Sequence, residues 1–151
     1  MPCPLCASLE SRAANPRFIA DLARSVVFLG ERQNPRGWCV LVLKDHVEHM
    51  AGLPIAVQSE IFGEVARVAA AIRTVFMTSD SAAHPLRINY ECLGNQVAHV
   101  HWHVIPRHLD DPDPRNTVWN WSRDTIGPAP DKQALCDLAL DLRTALTSHP
   151  S

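Results

Sequence analysis

The chain of 151 residues has almost no excess of one charge: 14 lysines and arginines face 16 aspartates and glutamates, a formal net charge of −2 with the histidines neutral. A balance this even leaves no electrostatic footprint for a phosphate backbone, so nucleic acid is not expected as a partner. No apolar run approaches the roughly 18 residues of a membrane span. The start, Met1-Pro2-Cys3-Pro4, is not a basic and then apolar leader. No membrane association is expected, and a cytoplasmic setting is. Internal repeats and low-complexity tracts are missing as well. The length is that of one ordinary domain, 1–151, enough for a single core and too short for two. An even cysteine count is also lacking. Five cysteines, two of them in a Cys-x-x-Cys pair, fit reduced thiols and a metal better than a disulfide framework.

What the chain does have is histidine, eight in all. Three of them fall in Val97-Ala98-His99-Val100-His101-Trp102-His103-Val104-Ile105-Pro106. Alternation of imidazole with apolar residues predicts a strand over 97–106, with three histidines on one face and Val100, Trp102 and Val104 seating the other on a core. A lone histidine is most often a satisfied core or surface residue; three at i, i+2, i+4 call for a function. Strand geometry sets the outer pair about 13–14 Å apart at the backbone, awkward for one tetrahedral ion, so the three are expected to divide their work.

The remaining elements follow from periodicity. Short strands are predicted at Arg17–Asp21 and Ser25–Leu29, then a polar turn from Glu31 to Gly37. Trp38–Lys44, almost continuously apolar, reads as a central strand with both faces covered, delivering Asp45-His46 at its end. From Pro54 to about Met77 the period changes: Ile61, Val65, Val68, Ile72 and Val75 recur at three and four, with Glu60, Glu64, Arg67 and Arg73 elsewhere on the wheel. That is a long helix for one side of the sheet. Thr78 to Pro85 reads as a loop of small residues, and Leu86–Cys92 alternates as another strand. The turn Leu93-Gly94-Asn95 suits the edge of an anion pocket, and its shortness favours antiparallel neighbours. After Arg107 comes a long aperiodic segment holding Trp119 and Trp121, of the kind that is often functional. A last amphipathic helix is predicted at about 131–148, capped by Asp131. Cys3-Pro4-Leu5-Cys6, in an arm of residues 1–10, is half of a tetrahedral metal site, a pair of buried thiols, or a redox motif without the strand such a motif follows.

Asn89, Leu93-Gly94-Asn95, Val97 and His99-Val100-His101-Trp102-His103-Val104-Ile105-Pro106-Arg107 together resemble the histidine triad superfamily of nucleotide hydrolases and transferases, in its bacterial diadenosine polyphosphate hydrolase-like branch. The Cys-x-x-Cys pair, Val40 to His46, Asp111-Pro112 and Val118-Trp119 extend the likeness. The resemblance implies an α+β fold: an antiparallel sheet of about five strands, one long helix, a C-terminal helix, and a homodimer. It implies His101 as the nucleophile toward the α-phosphorus of a nucleotide, adenine being the expected base, and His103 as a contact to phosphate or leaving group. It also implies a structural zinc held by Cys3, Cys6, His46 and His99, with His49 as a competitor for His46 and no catalytic metal required. Asn89 and Asn95 are implied as amide donors to phosphate, and Glu31 as the ribose contact, one place from where relatives carry an acidic residue. Trp38 stands where many relatives have a histidine, and Trp119 and Trp121 either cover the substrate or simply pack.

The chemistry agrees with the resemblance. A neutral imidazole is a competent nucleophile near pH 7 if an acceptor holds its other nitrogen's proton. A second imidazole at i+2, if protonated, offers charge to the phosphate and a proton to the leaving group. The leading expectation is therefore a nucleotide hydrolase. The alternatives are a nucleotidyltransferase of the same superfamily, a nucleotide-binding regulator with little turnover, and a metallohydrolase that would lack an acidic ligand beside an open coordination position.

Overall fold

Five apolar stretches supply five strands, and the computed structural model places them in one antiparallel sheet of order β1-β2-β3-β5-β4. It describes residues 2–76, 85–108 and 110–148. The strands are β1 (Phe18–Asp21), β2 (Ser25–Leu29), β3 (Cys39–Leu43), β4 (Pro85–Glu91) and β5 (His101–His108). The helices are α1 (Pro4–Glu10), α2 (Ile55–Phe76), α3 (Arg123–Ile126) and α4 (Lys132–Ser148). The expected small-residue loop, Thr78 to Pro85, falls outside the described residues except for Pro85, which begins β4.

The sheet is covered on both faces, which is why β2 is buried throughout and β3 nearly so. On one face α2 and α4 lay Val65, Val68, Ile72, Leu138 and Leu142 against Val27, Leu29, Leu41 and Val104. Burial of this apolar surface, worth about 25 cal/mol per Å2, is the main stabilising term. On the other face Leu9 of α1 packs with Val26, Phe28 and Val42. Beside it the segment after β5 packs Val118 and Trp121 on Trp38 and Ile105. Between these two covers the sheet is left open, and there β5 presents His101 and His103.

The fold departs from the sequence reading in three places. The regular strand begins at His101, because the N–H of His99 donates to Val97 O and that of Val100 to Val47 O, turning both N–H groups away from the ladder while Val100 O still accepts from Leu43 N–H. A helix, α1, occupies the N-terminal arm, with Pro4 at its tolerated first position. Glu64 is not on the solvent side of α2. It is buried, and its carboxylate accepts from the Ser25 hydroxyl at 2.5 Å and from the Arg24 N–H at 2.7 Å.

Glu64 thereby fastens the long helix to the start of β2. Its replacement by alanine orphans a buried hydroxyl and an N–H, and should cost about 1–3 kcal/mol in urea unfolding. The exposed Glu60, paired with Arg24, should cost less than about 1 kcal/mol when replaced in the same way. Equal losses at the two positions would contradict the structure.

Candidate active site and metal centre

The register of β5 fixes the site: His101 pairs with Val42 and His103 with Val40, so both imidazoles rise from the centre of the sheet. Their rings are in edge contact, with centroids 5.2 Å apart. His101 Nδ1 lies 2.7 Å from the carbonyl oxygen of His99. A carbonyl only accepts, so Nδ1 carries the proton and donates it there, leaving Nε2 with a free lone pair. This is the arrangement a nucleophilic imidazole requires.

His103 is held the opposite way round. The indole N–H of Trp38 donates to His103 Nδ1 at 3.1 Å. An indole nitrogen can only donate, so the proton of His103 sits on Nε2. Burial and the neighbouring His101 push the pKa of His103 down to about 4. The ring is a neutral hydrogen-bond donor at pH 7, so the condition of a protonated second imidazole is not met in the resting site.

Two clefts flank His103. One, of about 270 Å3, is lined by Gly30, Glu31, Trp38, Val40, Val118 and Trp119. Its wall depends on Gly30, where a Cβ would meet Trp38 Cγ at 3.2 Å. Gln33 closes the turn behind it by donating to the carbonyls of Gly30 and Trp38 and accepting from Gly37 N–H. The other cleft, of about 330 Å3, is lined by Leu93, Asn95, Gln96, Val97, His101, His103 and Trp119. Trp119 stands between the two, edge-on to His103 at 5.1 Å and to Trp38 at 5.3 Å, with its indole N–H given to the Glu91 carboxylate. Trp121 is buried and packs under the cation of Arg107.

Glu31 and Asn95 thus reach the clefts beside the triad. Asn89 does not line either of them; it is half-buried on β4, paired with Ile105 two residues beyond His103. Sequence reasoning noted Trp38 without giving it a part, and passed over Gln96, though Gln96 adjoins Asn95 in a turn already marked as polar.

His99 belongs to a different group. Its ring is buried, Nε2 donates to Leu43 O at 2.8 Å, and Nδ1 lies 3.4 Å from Cys3 Sγ and 3.5 Å from Cys6 Sγ. His46 Nδ1 is 3.3 Å from Cys6 Sγ. The four ligand atoms all lie within 4.8 Å of one another. Tetrahedral zinc with sulfur at 2.3 Å and nitrogen at 2.0–2.1 Å separates such atoms by roughly 3.5 Å, so the donor set and its spacing fit that metal. Burial also lowers the affinity of His99 for a proton, keeping the ring neutral as a ligand must be. His49 stands outside this cluster and lines a cleft with Glu48, Asn95 and His101.

The HIT domain family matches residues 12–110, about two thirds of the chain and all of the triad strand down to His108. The chain belongs to the HIT family. A HIT relative, "Protein hit" of Bacillus subtilis, is 29% identical over 103 residues, covering 68% of this chain and 69% of its own. The structure of a Zn-bound histidine triad family protein from Mycobacterium smegmatis superposes with a TM-score of 0.68 at 24% identity, covering 98% of this chain and 95% of that one. The diadenosine triphosphate hydrolase of Plasmodium falciparum, in complex with cyclomarin A, superposes with a TM-score of 0.61 at 16% identity, covering 89% and 78% of the two chains. The HIT fold, with its five-stranded antiparallel sheet, is therefore the fold expected from the sequence. No described helix is long and apolar enough to cross a membrane.

The state of His103 has a thermodynamic signature. The unfolded chain takes up a proton near pH 6.5 that native His103 refuses until about pH 4. Stability from this group is therefore complete above about pH 6.5 and is lost as the pH falls toward 4. His103→Gln should lose less melting temperature than the wild type between pH 7 and pH 5; an identical loss in both proteins rules out a depressed His103.

Proposed function

We propose that this HIT protein is a nucleotide hydrolase that cleaves at the α-phosphate of dinucleoside polyphosphates or nucleoside phosphoramidates through a covalent nucleotidyl-histidine on His101. The observation that carries the reading is the bond from His101 Nδ1 to the His99 carbonyl, which leaves Nε2 with its lone pair on a ring that lines the cleft of Asn95, Gln96 and His103. In the first step Nε2 forms a bond to phosphorus and the leaving group departs with the electron pair of the bond it breaks. In the second, water attacks phosphorus, the Nε2–P pair returns to the ring, and a nucleoside monophosphate is released. His103 Nε2–H and the Asn95 amide donate hydrogen bonds to phosphate oxygens as charge builds there. The apolar cleft beside Trp38 and Val118 receives the nucleoside, adenine being the expected base, and Glu31 accepts from ribose hydroxyls.

Cys3, Cys6, His46 and His99 would hold a zinc ion in a purely structural role. Filled by four protein ligands, it would supply cross-linking between the N-terminal arm, the segment after β3 and the segment leading into β5. The hydrolase named among the structural neighbours and the zinc-bound neighbour both support this reading. A cytoplasmic setting and a pairing of two copies belong to the same proposal, Ile55, Phe62 and Tyr90 being large apolar side chains exposed to solvent.

Turnover is tested with diadenosine tetraphosphate and adenosine 5′-phosphoramidate, with and without chelator. Hydrolysis of at least one is expected, with His101→Ala slower by about a thousandfold or more. Full activity in that variant would exclude the covalent route, and absence of turnover on both substrates would favour a binding protein. Metal analysis should find one zinc per chain, falling to background in the double variant Cys3→Ser, Cys6→Ser, together with a lower melting temperature. Zinc retained by that double variant would place the metal elsewhere.

A further inference from the structure

Trp38 gives this site a property that a histidine at the same place would not. An imidazole can accept or donate and can pass a proton along; an indole N–H can only donate. The Trp38 N–H is 3.1 Å from His103 Nδ1, and its ring is edge-on to His103 with centroids 5.6 Å apart. Trp38 is itself buried among Ile105, Val118 and Trp121, so its nitrogen has no freedom to turn away. Protonation of His103 would set two N–H groups against each other. The other groups facing His103 are His101 on its own strand, Glu31 and Arg32 in the apolar cleft, and Glu91 on β4, which is engaged by Trp119.

Leaving groups differ in whether they need a proton. When a phosphoanhydride is cleaved, the breaking P–O bond leaves its electron pair on a phosphate oxygen that is stable as an anion. When a phosphoramidate is cleaved, the pair goes to a nitrogen that must be protonated as it departs. The ring beside the nucleophile, His103, carries one proton on Nε2, and giving it up would turn a neutral imidazole into an imidazolate. Donating a hydrogen bond has no such obstacle.

We propose that Trp38, by fixing His103 as a hydrogen-bond donor and not a proton donor, confines the site to nucleotides whose leaving group departs as a stable anion: phosphoanhydrides in preference to phosphoramidates. This deepens the hydrolase reading and rests on it. Trp38 is a positioning residue that acts through His103.

The test compares kcat/KM for diadenosine tetraphosphate and adenosine 5′-phosphoramidate in the wild type, Trp38→His and Trp38→Phe. Nitrogen NMR of labelled histidine is used to read the His103 tautomer without any substrate. The wild type should favour the anhydride by about a hundredfold or more, the usual range of a missing general acid. Trp38→His should narrow that ratio through kcat on the phosphoramidate, with KM little changed. His103 should carry its proton on Nε2 in the wild type and populate both tautomers in Trp38→Phe. Equal use of the two substrates by the wild type, or an Nδ1–H tautomer in it, overturns the proposal, and the wild-type spectrum needs no substituted protein to fold. Turnover of neither substrate, with the Nε2–H tautomer in place, would instead overturn the hydrolase reading and the substrate preference together while leaving the tautomer assignment standing.

Discussion

The site depends on one carbonyl. The backbone oxygen of His99 accepts from the nucleophile candidate, and the side chain of the same residue enters the cysteine cluster. This double duty is available because the regular ladder stops just before His101: the His99 N–H turns back to Val97 O and the Val100 N–H goes to Val47 O, while Val100 O alone still accepts from Leu43 at the end of β3. The carbonyl that would otherwise belong to a regular strand pair is thereby turned toward the next imidazole. A straight strand through 97–106 would have kept three histidines in a row but not this orientation.

Most of the architecture could be read from the sequence because it rests on local periodicity. The bounds of β2 coincide with the apolar run at 25–29, and the long helix follows the spacing of Ile61, Val65, Val68 and Ile72. Periodicity is silent where tertiary partners decide. Glu64 looks polar on a helical wheel, yet Ser25 and the Arg24 N–H, some forty residues away, make its burial favourable. The helix of the N-terminal arm is a single short element, Pro4–Glu10, whose apolar contact is made mainly through Leu9.

The site was legible in its ingredients and not in its protonation. Three imidazoles, a Cys-x-x-Cys pair and His46 are visible in sequence because the chemistry needs those types at those spacings, and the structure brings Cys3, Cys6, His46 and His99 within one cluster. Which nitrogen of each ring bears a proton is set by groups far along the chain. Trp38 is 65 residues from His103, and the Leu43 carbonyl is 56 from His99. Register, not spacing, joins them, and register is a property of the sheet.

Arg107 closes β5 with a fully buried guanidinium. It pairs with Asp111 at 2.7 Å and donates to the carbonyls of Asp113 and Asn116 while lying over the ring of Trp121. The segment that carries Trp119 across the clefts is thus riveted to the very strand that carries the imidazoles. Any tilt of β5 is transmitted to its own roof, so the mouth of the site and its floor share a single reference frame and keep their spacing as the molecule breathes.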